Sequence, residues 1–138
     1  MSFPLVTVIC LCHNQAPFVA EAIQSVWDQN YPNVELIVVD DGSVDNSKDE
    51  IKEKLKGLPT EFIDLNKSVG NCTAFNHGIK KAKGEVIIYL AADDVLYPDR
   101  ISEGLKSFES KTGVNLRDVM LLTEHGDNIS SHYERNEN

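Results

Sequence analysis

Two pairs of adjacent aspartates, Asp40–Asp41 and Asp93–Asp94, each follow directly on an apolar run, in "VELIVVDDGSVDNS" and "VIIYLAADDVLYPDR". Carboxylates offer hard oxygen donors that suit Mg²⁺ or Mn²⁺, and when ionised they only accept hydrogen bonds, which suits a ligand N–H. Two unit charges about 5 Å apart repel by about 3 kcal/mol at an effective dielectric near 20, and by about 1 kcal/mol in bulk water. A helix N-terminus returns only about 0.3–1 kcal/mol per anion. Enclosed acids in such pairs therefore call for a cation or for ligand donors. A third polar group, "CHN" (Cys12 to Asn14), ends the first apolar run, and "NKS" (Asn66 to Ser68) ends the third. Cys10, Cys12 and His13 could ligate a metal, but no matching Cys/His pair follows, and thiols two apart on a strand read as small buried residues.

The elements that must place these residues alternate regularly. "LVTVICL" (Leu5 to Leu11) reads as a strand, and Pro17 suits the first turn of a helix whose face is Phe18, Val19, Ala22, Ile23, Val26 and Trp27. "VELIVV" (Val34 to Val39) is a β-branched run expected to be covered on both faces. Ser43 or Asp45 is expected to cap the next helix, with Val44, Ile51 and Leu55 inward. "TEFIDL" is a weaker third strand. Gly70 opens a helix with Ala74, Phe75, Gly78, Ile79 and Ala82 on one side; Lys80, Lys81 and Lys83 suit its C-terminal dipole, and Gly84 is expected to end it. The fourth strand is Val86 to Ala91. A helix from Pro98 follows, with Ile101, Leu105 and Phe108 inward, and then a fifth strand, "DVMLLT".

Strand–helix alternation of this kind predicts an open α/β sheet, mostly parallel, with helices on both faces. The carboxyl ends of parallel strands share one edge, where ligands of such folds bind. Loops are polar everywhere, but that alone does not account for four carboxylates at two strand ends. At 138 residues the chain suits one domain. Its formal charge of −9 disfavours nucleic acid or an anionic membrane as partner. No run is long enough to span a bilayer, and the start lacks a cationic segment and cleavage site. Three cysteines, an odd count, fit a reducing cytoplasm. Gly-x-Gly is missing after the first strand and no Gly-x-x-x-x-Gly-Lys-Ser/Thr occurs, which excludes the dinucleotide fingerprint and the P-loop. The acid pairs follow strands two and four, not the first and third as in a response-regulator receiver.

From Pro4 to Ser47, and again from "NKSVGNCTAFNHGIKKAKGEVIIYLAADDVLYPDR", the chain resembles the family 2 glycosyltransferases of GT-A fold, in register over about residues 4–110. "VVDDGSVDNS" and "KGEVIIYLAADD" carry the resemblance. It implies a nucleotide-diphosphate sugar donor, a divalent metal (Mg²⁺ or Mn²⁺) and transfer of the sugar to a hydroxyl acceptor with inversion. Residue by residue, it puts Asp41 at the nucleotide base, accepting from an N–H such as N3–H of uracil. Asp40 shapes the turn or touches the nucleoside, and His13 and Asn14 stand where the family has Tyr-Asn, near base and ribose. Asp93 and Asp94 take the place of the acidic motif, contacting ribose and metal.

The chain departs from the family pattern in three respects. Ala91 replaces the first acid of Asp-x-Asp-Asp, and Phe75 stands where an arginine often could meet a phosphate. The family's general base lies further along a longer chain; Glu124 and Asp127 are acids in the right region, and no residue is assigned the role. Residues 1–123 are accordingly expected to form the donor-binding core, and 124–138 a polar tail that begins the acceptor part. The alternatives are a non-catalytic nucleotide- or nucleotide-sugar-binding module and, more distantly, a nucleotidyltransferase, which would need a Gly-rich basic loop where "CHNQAP" stands.

Overall fold

A computed structural model describes residues 3–112, with side chains to Lys106. Four strands, β1 (Val6–Cys12), β2 (Val34–Asp41), β3 (Glu61–Leu65) and β4 (Val86–Ala91), alternate with four helices, α1 (Val19–Trp27), α2 (Ser47–Leu55), α3 (Asn71–Lys81) and α4 (Arg100–Thr112). All neighbouring strands run parallel, in the order β3-β2-β1-β4. The predicted open α/β architecture is therefore present.

Strand periodicity sorts the apolar side chains into two layers. Val6, Val8, Cys10 and Cys12 of β1 join Leu36, Val38, Val86, Ile88 and Leu90 beneath α1, α2 and α4. Ile9 and Leu11 join Ile37, Val39 and Ile87 on the opposite face, under Ala74 and Phe75 of α3. Every residue of β1 is buried, as a central parallel strand covered on both faces requires. Ile9, Ile23, Ile37, Ile51, Ile88 and Ile101 are wholly enclosed, each burial stabilising by about 1.5–3 kcal/mol. On the opposite face α3 lies tight on β1: a Cβ at Gly78 would come within 2.8 Å of the Ile9 side chain.

Local departures from the sequence expectations have clear causes. Strand β2 runs two residues further than its apolar run and includes both aspartates. Helix α1 starts at Val19, with Phe18 as its half-exposed N-cap, and Trp27 ends it beside Lys54, whose Nζ lies 5.8 Å from the ring centroid. Helix α2 starts only at Ser47, which leaves Val44 in the preceding loop and 89% exposed. Asp45 serves that helix end by accepting from Ser47 N at 2.9 Å, whereas Ser43 is engaged elsewhere. Gly84 does not end α3, whose last residue is Lys81. It permits a close approach instead, since a Cβ there would lie 2.7 Å from Thr7 N and 2.8 Å from Leu5 O. The expected fifth strand, 118–123, and the tail, 124–138, lie outside the described residues.

Among the described residues no helix is long and apolar enough to cross a membrane. Burial raises the pKa of the Cys10 and Cys12 thiols, whereas Cys72 is exposed. Native protein should react with a thiol reagent at Cys72 alone, and at all three cysteines after denaturation. Rapid native modification of Cys10 or Cys12 would contradict this packing.

Candidate functional site

β1 lies between β2 and β4, and a crevice opens at the C-terminal ends of these three parallel strands. The crevice encloses ≈ 180 Å³. Its wall takes Cys12 and His13 from the end of β1, Asp41 from β2, Asn71 from α3, and Tyr89, Ala91 and Asp93 from β4 and its extension. Complete small-molecule sites occupy roughly 300–1,000 Å³, so this space suits a fragment of a ligand, such as a heterocyclic base. Of the residues singled out in sequence, His13, Asp41 and Asp93 meet at the crevice, whereas Asn14, Asp40 and Asp94 are not part of its wall.

The two β2 acids point to opposite faces because strand side chains alternate. Asp40 has no exposed surface and accepts from Ser43 N at 2.9 Å and Ser43 Oγ at 2.6 Å. This places it behind the turn, shaping it, rather than in the crevice. Asp41, 4% exposed, accepts from Val69 N at 2.7 Å, Gly70 N at 3.1 Å and Ser68 Oγ at 3.1 Å. It thereby pins the segment that leads into α3. Charge-assisted bonds of this kind are worth about 1.5–3 kcal/mol each, enough to hold a carboxylate out of water without a cation. The repulsion expected among four acids is thus removed for two of them by protein donors.

Asn14 adopts a left-handed backbone (φ 55°), a conformation that asparagine tolerates. Its Oδ1 accepts from Val44 N at 2.8 Å and Asp45 N at 3.3 Å, and its own N–H donates to Ser43 Oγ at 2.8 Å. The next two amides continue the pattern: Gln15 N donates to Ser47 Oγ at 2.9 Å and Ala16 N to Asp45 Oδ2 at 3.2 Å. The signature "DDGSVDNS" therefore laces the loop after β1 to the loop after β2. His13 Nδ1 lies 2.7 Å from the Asp41 carbonyl, so Nδ1 carries the proton and donates; Nε2 is left to accept, and Asn14 Nδ2 stands 3.3 Å from it.

Across the crevice, Asp93 is exposed and Asp94 half-buried. Among the described residues no three His, Cys, Asp or Glu side chains gather as a metal cluster. Two hard carboxylates still fit Mg²⁺ or Mn²⁺, which are commonly held by one or two acids and completed by water and phosphate oxygens. Burial, reinforced by the Asp93 charge, raises the pKa of Tyr89, which keeps it a neutral phenol at the crevice wall. Behind it Phe75 is completely enclosed and meets the Tyr89 ring edge-on, with centroids 5.8 Å apart. Phe75 is thus a core residue supporting the wall. Gln15, which also lines the crevice, Asn71 and Tyr89 were not legible as site residues: the first two read as loop and helix positions, and Tyr89 as one more apolar strand residue.

Gly42 joins these loops at a point where no other residue fits. It has φ 66°, and a Cβ there would fall 2.3 Å from Ser68 N and 2.5 Å from the Lys67 carbonyl carbon. Gly42→Ala should lower stability by at least about 1–3 kcal/mol in denaturant melts, with Val69 and Gly70 amides losing exchange protection. Asp40→Ala should cost a similar amount by leaving the Ser43 N–H without its acceptor. Melting curves matching the unsubstituted protein would refute the lacing described above.

Comparison with known proteins agrees with this geometry. The Glycosyl transferase family 2 model matches residues 7–134. An uncharacterized glycosyltransferase of Rickettsia felis is 35% identical over 130 residues, covering 91% of this chain and 21% of the relative. Poly-beta-1,6-N-acetyl-D-glucosamine synthase of Staphylococcus epidermidis is 35% identical over 94 residues, 68% of this chain and 23% of that protein. Among solved structures, a mannosyltransferase from Pyrobaculum calidifontis in complex with GDP-Man and Mn²⁺ superposes with a TM-score of 0.73 at 26% identity, over 80% of this chain and 34% of that one. S. aureus TarS, solved with UDP, shares the fold with a TM-score of 0.68 at 22% identity, over 79% and 33% of the two chains. The chain spans between 14% and 37% of the length of the first curated relatives it matches. With its parallel sheet, its laced strand-end loops and the family match over nearly all of its length, the chain belongs to the family 2 glycosyltransferases.

Proposed function

We propose that this chain forms the donor-binding part of a glycosyltransferase that takes a nucleotide-diphosphate sugar and a divalent metal and passes the sugar to a hydroxyl acceptor with inversion. The observation that carries this reading is the convergence of Asp41, His13 and Asp93, from three strand ends, on one crevice. The mannosyltransferase solved with GDP-Man and Mn²⁺ supports both the donor class and the metal. The odd cysteine count supports a cytoplasmic setting.

Each residue has a role that its surroundings support. A carboxylate has about four acceptor positions; Asp41 uses three on the loop before α3, and the remaining one suits an N–H of the base. His13, held by the Asp41 carbonyl at the crevice wall, can stack on or contact the nucleoside. Asn14 orients His13, and Asp40 holds the turn from which both loops hang. Asp93 faces the ribose and, with Asp94, would hold Mg²⁺ or Mn²⁺, which supplies charge neutralisation for the departing nucleoside diphosphate. Ala91 in the crevice wall, where the family usually has an acid, favours a second reading, that of a nucleotide-sugar-binding module without turnover.

Calorimetric titration with UDP, GDP and their sugars, with and without Mn²⁺, tests the reading. Binding of at least one nucleotide should strengthen when Mn²⁺ is present, and Asp94→Asn should remove that gain, a loss of about tenfold or more, or about 1.4 kcal/mol. No heat from any nucleotide in either condition would overturn it. Sugar transfer to an added acceptor separates the enzyme from the binding module.

A further inference from the structure

The segment between β4 and α4, residues 92–99, has no sheet partner, so its backbone groups must find donors and acceptors elsewhere. Ala92 N donates to Leu11 O at 2.9 Å and Asp94 N to Ala91 O at 3.0 Å, which ties the start of the segment to the strands. Beyond Asp94 the partners come from the last turn of α1 and the residues that follow it. Leu96 N donates to Ser25 Oγ at 3.0 Å, and the same hydroxyl donates to Ala22 O at 2.7 Å, so a buried serine both accepts and donates. Gln29 holds both the segment, at Tyr97, and the first turn of α4, at Ile101. Its Nε2 donates to Tyr97 O at 2.7 Å and also to Ser25 O at 3.2 Å, while its Oε1 accepts from Ile101 N at 3.0 Å. Asn30 adds a backbone bond to Pro98 O at 2.8 Å and a side-chain bond to Asp99 Oδ1 at 2.7 Å.

We propose that Ser25 and Gln29 are positioning residues that hold the backbone after β4 so that Asp93 and Asp94 present their carboxylates to one cation. The inference rests on the donor- and metal-binding role given above. Adjacent carboxylates repel each other, and an unheld segment would let them separate into water. Coordinating groups must be held to within about 0.5 Å to act together. Ser25 takes hold two residues after Asp94, nearer to the acids in sequence than Gln29 or Asn30 does. The bond is buried, so removing the hydroxyl leaves the Leu96 N–H with little access to water in its place.

Two measurements on Ser25→Ala, Ser25→Thr, Gln29→Ala and Gln29→Glu test the clamp. The first is the ratio of nucleotide dissociation constants without and with Mn²⁺. In the alanine variants this ratio should fall about 10–100-fold, as for other supports of metal ligands, while metal-free affinity stays near that of the unsubstituted protein. Ser25→Thr, which keeps the hydroxyl, should restore it. Gln29→Glu keeps the acceptor for Ile101 N and loses the donor to Tyr97 O, and should give an intermediate ratio even where Ser25→Ala fails to fold. The second is amide hydrogen exchange without nucleotide, which should quicken over residues 92–97 and remain unchanged in β1 and β2. Folded variants that keep the full Mn²⁺ gain, or that lose both affinities in equal proportion, would overturn the proposal. If the unsubstituted protein binds no nucleotide in either condition, the donor-binding reading fails and the assignment of these residues to a cation site fails with it; exchange confined to 92–97 then identifies a structural clamp only.

Discussion

Burying a carboxylate requires hydrogen-bond donors that arrive with the fold, and much of the site follows from that requirement at the end of β2. Asp40 and Asp41 extend a central strand past its last valine, where each must be met on its own face of the sheet. On one face the Ser43 amide and hydroxyl close over Asp40, and the same hydroxyl accepts the Asn14 amide. On the other face the amides of Val69 and Gly70 close on Asp41 and set the entry to α3. Three loops distant in sequence are thereby brought to one rim. Gly42 is the residue at the junction because loop backbone occupies the space that any side chain would need.

The opposite side of the crevice is organised by a different means. Asp93 is not enclosed by protein donors as the β2 acids are; it remains open to solvent. The segment that carries Asp93 and Asp94 is fixed through its main chain, by β1 before the acids and by α1 and the residues just after it beyond them. This division suits a binding edge. Acids consumed by protein donors build the frame, and an acid left at the surface keeps its lone pairs for something that arrives from solution.

The departures from the family pattern also become physical statements. Phe75 fills the space between α3 and the sheet and backs Tyr89, so this position contributes packing where a cation was expected. Ala91 continues the β1–β4 ladder opposite Leu11 and lines the crevice with a methyl group in place of an acid. The wall at this point is therefore less charged and more apolar than the family pattern implies, with the neutral Tyr89 phenol beside it.

Periodicity and residue type determined the alternation of strands and helices, the fully covered central strands, the common edge of polar strand ends and the family, because these depend on neighbours within a few positions. They also marked Asp41, His13 and Asp93 as residues of that edge. They did not show that Asp40 faces Ser43 inside the turn, that Ser43 bridges two loops instead of capping α2, or that Val44 is exposed. Nor did they show that Tyr89 and Asn71 share the crevice, or that Ser25 and Gln29 hold the segment after β4. Those outcomes depend on partners such as Asp41 with Val69, 28 positions apart, and Ser25 with Leu96, 71 apart. Whether a carboxylate is spent on the frame or left for a ligand is set by which donors the folded chain brings within about 3 Å of it, and local sequence carries no record of that distance.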